Sequence, residues 1–358
     1  MALLVVCAHA QRYPDNLPVD HPAIRYHDSA PFHLPHLEYL EGGLGYLPSL
    51  LAALDIPADS QALVFSKTSF QAPRIGPRKP RAIYFGDRAA VGYVPGAPLM
   101  EVAVIDPRQG AVFYTLSTQG AQTPRLERAE VCLSCHRAPA TLGVPGIFVG
   151  SVFPDSSGMP RQSDAIITDH RTPFSDRWGG WYIDAAHGQQ KDRSNATAND
   201  PAEPLSLEPL PRFRAEGYLS PHSDIVALMT LEHQTHMTNL LTRLGWLARL
   251  GNDTEDAIRE TEAYMLFKDE APLAAPIAGV STFTKTFPQR GPRDSHGRSL
   301  RDFDLETRLF RYPLSYMIYS DSFEALPGAI RARIYRDLAV ALAGQPALEI
   351  LRETKPGV

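Results

Sequence analysis

Positions 132 to 136 read Cys-Leu-Ser-Cys-His, two thiols three residues apart followed directly by an imidazole. This is the attachment pattern of a c-type haem. Thiols at that spacing can reach two vinyl groups on one edge of a porphyrin and form thioethers, and the adjacent histidine then offers a ring nitrogen to the iron. With 3 Cys and 12 His in 358 residues, the pattern arises by chance on the order of once in a thousand such chains. It also constrains the fold. The five residues must share one turn of backbone, with space beside them for a flat ring. The expectation is one covalent haem c held by Cys132 and Cys135, with His136 as proximal ligand.

Other readings of the same residues compete. A four-cysteine zinc or iron–sulfur site is excluded by the cysteine count, and zinc on fewer thiols lacks soft ligands, since Cys7 is far away in sequence. A thioredoxin-like pair fits Cys-x-x-Cys, but the preceding Leu-Glu-Arg-Ala-Glu-Val at 126–131 reads as helix rather than strand. A structural disulfide stays open for an exported protein. Export is suggested at the front of the chain. Leu3 to Val6 is apolar and Ala8-His9-Ala10 has the small-x-small form of a signal-peptidase site, although no positive segment precedes them. Residues 1–10 are therefore read as a signal-peptide remnant that takes Cys7 with it, the alternative being a short N-terminal strand, and the protein as periplasmic or otherwise exported, where haem c is attached.

Charge and hydropathy narrow the partners. The net charge of −5 argues against a nucleic-acid protein working through a globally basic surface. No stretch of 18 apolar residues occurs, so an integral membrane protein is not expected. The anticipated partner is a redox protein or a small redox molecule.

The pattern of residues predicts an α+β chain. Helical apolar spacing runs through 37–54, interrupted by Gly42, Gly43 and Gly45. Short β-rich runs follow at 62–66, 81–85, 90–94, 99–105 and 111–116, separated by Gly-Asp, Pro-Gly and Asp-Pro turn signals, which reads as an antiparallel meander. The haem segment comes after it, unlike a small class I cytochrome c, whose motif opens the domain. Strands are expected at 147–153 and 180–185, with a hairpin turn at Asp155-Ser-Ser-Gly158. The stretch 168–182, dense in aromatics and charge, reads as a loop knitted by Trp and Arg stacking, or as a haem-edge wall in which Arg171 or Arg177 meets a propionate. A mixed α/β part over 11–186, a loop or junction over 187–218 and a mainly helical part over 219–358 packing on the haem complete the division. In that last part, Ser220-Pro221 opens a helix toward Leu250, and 254–267, 305–319 and 327–343 also read as helices.

The haem iron needs a second axial ligand or an open face. Val226, Met229, His233, Met237, Leu240, Leu244 and Leu247 recur at three- and four-residue steps and so share one stripe. His233 is the preferred distal ligand, Met237 the next, and Met229 a third. Met159, His170 and His187 are the competing candidates, Met159 reading mainly as an exposed loop residue.

Several segments together resemble a family of bacterial exported proteins described as cytochrome c domain-containing. They are Phe65-Ser-Lys-Thr-Ser-Phe70, Pro80-Arg-Ala-Ile-Tyr-Phe85, Cys132-Leu-Ser-Cys-His136, Arg177-Trp-Gly-Gly-Trp-Tyr182, Pro221-His-Ser-Asp224, Glu232-His-Gln234 and Leu309-Phe-Arg-Tyr-Pro-Leu-Ser-Tyr316. The resemblance covers nearly all of the chain after about residue 25 and implies a covalent haem and an exported location, with no reaction attached. The reading is an exported monohaem c-type cytochrome that transfers single electrons. The alternatives are a peroxidase-like haem enzyme with an open or labile distal site, and a haemless exported interaction protein whose Cys-x-x-Cys is a disulfide.

Overall fold

The computed structural model describes residues 37–120, 124–161, 165–198, 207–209, 215–355 and 357. The expected signal remnant at 1–10 lies outside them. The fold is α+β, with a seven-stranded antiparallel sheet and, among the described residues, eight α-helices gathered mostly toward the C-terminus.

Helix α1 is Leu47–Ala53, shorter than the spacing predicted. Gly42, Gly43 and Gly45 take φ of 96°, 110° and 56°, a left-handed backbone that glycine adopts without penalty and a helix cannot contain. The chain before α1 is therefore turn, and Pro48 opens the helix. Strands β1 (Ala62–Val64), β2 (Arg81–Phe85), β3 (Ala89–Tyr93), β4 (Leu99–Asp106) and β5 (Gly110–Ser117) fall within a residue or two of the β-rich runs. Strand β6 (Leu126–Arg128) corrects the helical reading of 126–131. Leu126 and Arg128 lie opposite Leu116 and Tyr114, so the open edge of β5 supplies the ladder partners that a short isolated helix lacks.

Helix α2 (Leu133–His136) carries Cys135 and His136, with Cys132 at its N-cap. Strands β7 (Val149–Ser151) and β8 (Ile166–Thr168) pair with each other, and β9 (Trp181–Tyr182) adds to the large sheet beside β1. The sheet order is β6-β5-β4-β3-β2-β1-β9. Within the segment expected to be loop, β10 (Ala196–Ala198) and β11 (Leu207–Pro209) form a small hairpin ladder.

Helix α3 (Ile225–Arg249) is the longest element. Asp224 caps it through hydrogen bonds from the amides of Val226 and Ala227 at 2.8 and 3.2 Å, which corrects the expected Ser220-Pro221 start. Ser220 and His222 are instead held outside the helix, their carbonyls accepting from Gln61 Nε2. Helices α4 (Glu255–Met265), α5 (Phe283–Thr286), α6 (Asp321–Glu324), α7 (Gly328–Ala341) and α8 (Pro346–Thr354) complete the chain. The expected helix over 305–319 is irregular chain ending in a single tight turn at Tyr316–Tyr319, since Leu305 sits at φ 65° and Phe303 bridges to Phe310.

Side-chain alternation divides the sheet. Leu63, Tyr84, Val91, Met100, Val102 and Val104 pack on Leu47, Leu50 and Leu51 of α1. The other face, through Ala62, Val64 and Phe85, meets α3 and a larger core reaching to Leu351. Between Ile225 and Leu247, only His236 and Arg243 of α3 are not buried. Among the described residues, no helix is long and apolar enough to cross a membrane.

Candidate functional site

The Cys-x-x-Cys-His segment sits on a closed loop over the α3-facing side of β5. A tight turn at Glu130–Cys132 runs into α2, so Cys132 and Cys135 occupy neighbouring positions on one helical face. The loop then returns. The Gly146 amide donates to the His136 carbonyl at 2.8 Å, and the Ala111 amide to the Pro145 carbonyl at 2.8 Å. This closure needs Gly110, at φ 92°, because a Cβ there would stand 2.2 Å from the Pro145 oxygen. Asn239 of α3 donates through Nδ2 to the Ile147 carbonyl at 2.8 Å and fixes the far side.

The geometry determines which nitrogen of His136 is basic. Nδ1 lies 2.9 Å from the Gly146 carbonyl, which can only accept, so Nδ1 carries the proton and Nε2 the lone pair. The ring is flanked by Phe113 and Phe148 at centroid distances of 4.7 and 5.4 Å. Burial lowers its pKa to about 4, against the stabilising Gly146 carbonyl and helped by the Arg81 charge, so the imidazole is neutral at neutral pH. A neutral imidazole oriented by a backbone carbonyl is the form that binds iron.

The two thiols are unpaired, Cys132 half-buried and Cys135 exposed, with Val131 beside them 58% exposed. Burial, then the Glu101 carboxylate, push the Cys132 thiol pKa up, which keeps it protonated and argues against a nucleophilic redox thiolate. Beneath it, Arg81 of β2 reaches across β3 to Glu101 of β4 at 2.6 Å. It can do so because Gly92 intervenes, where a Cβ would stand 2.5 Å from the guanidinium. Among the described residues, no three His, Cys, Asp or Glu side chains gather to hold a metal ion, so Cys132, Cys135 and His136 do not converge on one point. Two free thiols on one helical face, followed in the chain by an imidazole with Nε2 basic, are the side chains that would hold a haem c.

The expected distal ligands are not brought to this site. His233 is fully buried, with Nδ1 2.9 Å from Nδ1 of His170 and Nε2 2.7 Å from Ser315 Oγ. Its ring stacks on Tyr264 and Phe267 at 5.2 and 4.6 Å. Among the residues of α3 that touch the Cys-x-x-Cys-His loop and its surroundings are Asn239, Thr242 beside Gly110, and Trp246, whose Nε1 donates to the Arg108 carbonyl. At about 100° per residue they lie roughly 180–240° around the helix from His233, whereas Met229 and Met237 lie within about 40° of it. Both methionines are buried in the helical core. These stripe residues face the C-terminal helices, on a helix whose other faces are buried as well.

The competing candidates are placed as follows. His170 is committed to His233, and His187 is half-buried near Asp192 at 3.9 Å. Met159 is 37% exposed on a turn whose Asp155 carboxylate accepts from the Ser157 and Met159 amides. The 168–182 stretch is a knitted loop. Arg177 is buried and donates to Glu232 at 3.2 Å and to the His170 carbonyl at 2.9 Å, so it is not available to a propionate, while Arg171 holds Asp169 at 2.6 Å. Trp178 Nε1 donates to the same Glu232 at 3.0 Å. Burial outweighs the pull of Arg177 and raises the Glu232 pKa to about 7.

Sequence reasoning missed this buried polar centre of Asp169, Glu232, His236, Tyr264 and Ser315. Its visible signal was Asp169-His170-Arg171 inside an aromatic-dense stretch, and no local pattern names partners 63 to 82 residues away. Compared with known proteins, the chain matches no family model, no curated protein and no solved structure.

Proposed function

We propose that the protein binds one haem c covalently through Cys132 and Cys135, with His136 as axial ligand, and exchanges single electrons with a redox partner outside the cytoplasm. The observation that carries this reading is the state of His136. Its Nδ1 proton is spent on the Gly146 carbonyl, which leaves Nε2 basic, and the two cysteines that precede it in the chain are free thiols. The bound group would supply a one-electron couple, and the chain's part is to orient and tune it. The Gly146 carbonyl fixes the tautomer and raises the basicity of Nε2, Phe113 and Phe148 limit water at the ring, and the exposure of Cys135 and Val131 puts the attachment edge at the surface, where a partner can approach. The resemblance to exported cytochrome c domain-containing proteins agrees with this.

The test is a pyridine haemochrome assay on protein made together with the haem-c maturation machinery. One haem per chain is expected, lost in Cys132→Ala or Cys135→Ala, and absence of the band in the unmodified chain overturns the reading in favour of a haemless protein with a disulfide.

A second reading is a peroxidase-like haem enzyme, favoured by one observation: His233, Met229 and Met237 all face away from the haem loop. A haem held here would then take none of these three as its second ligand. Cyanide or nitric oxide binding to the resting protein supports this reading, and a low-spin spectrum inert to both favours electron transfer.

A further inference from the structure

Away from the haem motif, the turn between β2 and β3 faces the C-terminal segments across a cleft of about 130 Å³, room for several water molecules. Asp87 and Arg88 line it from the turn, and Arg301, Tyr316, Ser320 and Ser322 from the other side. Arg301 has a side chain only 7% exposed. Its guanidinium packs against the rings of Phe287 and Tyr316, 4.7 and 4.6 Å from their centroids, on one side of a ring pair that meets edge to face at 5.1 Å. Nη2 donates to Asp87 at 2.9 Å, while Nε and Nη1 have no acceptor. Arginine stays protonated in proteins, so these buried donors cannot be relieved by losing a proton. Arg88 is held at the rim by Asp321 at 2.7 Å. Each carboxylate of the cleft is thus already paired, and Arg301 keeps donors in excess. Ser320 Oγ accepts from the Phe323 amide at 3.2 Å, which leaves its hydroxyl proton to donate.

We propose that this cleft binds a small oxyanion, either a carboxylate or an inorganic anion, anchored by Arg301 with Ser320 as a second donor. The rings hold the guanidinium in place before binding, so little order has to be created when the anion arrives. The site is independent of the haem reading.

Calorimetric titration of the full chain with acetate, phosphate and sulfate, against chloride at matched ionic strength, tests it. One saturable site is expected for at least one oxyanion and none for chloride. Acetate alone saturating identifies a carboxylate, phosphate or sulfate alone an inorganic anion, and either result supports the proposal. Arg301→Lys, which keeps the charge and the reach to Asp87, should weaken binding at least tenfold, and Asp87→Asn should tighten it several-fold by releasing Nη2. A response no different from chloride, or equal affinity in wild type and Arg301→Lys, overturns the proposal. Circular dichroism of both variants confirms that each is folded.

Discussion

Two histidines bound the chemistry of this molecule, and they are opposites. His136 is near the surface, holds one hydrogen bond to a backbone carbonyl and keeps Nε2 basic. His233 is fully buried and has both nitrogens engaged, one by His170 and one by Ser315. Both have pKa values lowered by burial, to about 4 and about 3. The shift alone therefore does not separate a ligand from a strut. What separates them is whether a lone pair is left over once the protein's own hydrogen bonds are counted.

The comparison is broken most severely by acid. His233 and His236 have pKa values near 3 and 4, and His170 lies well below the ordinary 6.5, all chiefly from burial. Unfolding restores the ordinary value, so between pH 6.5 and about 4 the unfolded chain binds more protons and stability falls as pH falls, by about 1.4 kcal/mol per unit for each group. Glu232 acts with opposite sign. Raised to about 7, it loses stability as pH climbs from 4.5 to 7. The net loss on acidification should therefore steepen below about pH 4.5. Denaturant midpoints at pH 7, 5.5, 4.5 and 4 check this, and a flat profile would show that the buried cluster is hydrated.

Next in size is Glu232→Ala, which leaves Arg177 and Trp178 without their acceptor in the core and should cost about 3–5 kcal/mol. Urea unfolding measures it. His233→Ala should cost about 2–4 kcal/mol by removing a packed ring and stranding Ser315 and His170, yet leave haem content unchanged. His136→Ala should cost less in stability and abolish the native haem spectrum. If His233→Ala alters the axial-ligand spectrum instead, the division between the two histidines fails. The smallest effect is expected from Gly92→Ala, which forces Arg81 off Glu101 and should cost about 1 kcal/mol or less, because the obstructing atoms are the far end of a flexible side chain. Thermal unfolding resolves it.

Much of the fold was legible because its signals are local. β2 to β5 alternate between turns that announce themselves, and Cys132, Cys135 and His136 stand out by their spacing alone. What escaped depends on distant partners. Leu126 to Arg128 joins the sheet because β5 has an open edge, and α8 rests on Ala347, Leu348, Ile350 and Leu351 reaching a core built elsewhere. The stripe through His233 was visible as periodicity, but periodicity names a face and not what it faces. On a helix buried all round, that question has no local answer.

That burial has a consequence for variation along the chain. One side of α3 answers to the sheet and the Cys-x-x-Cys-His loop through Asn239, Thr242 and Trp246, the other to the helices through Met229, His233 and Met237. A saturation scan of the segment should therefore show no three-to-four-residue rhythm of tolerance. Permissive positions should be confined to Arg243 and the last turn, and a change of the helix's length by one residue should disable both sides at once.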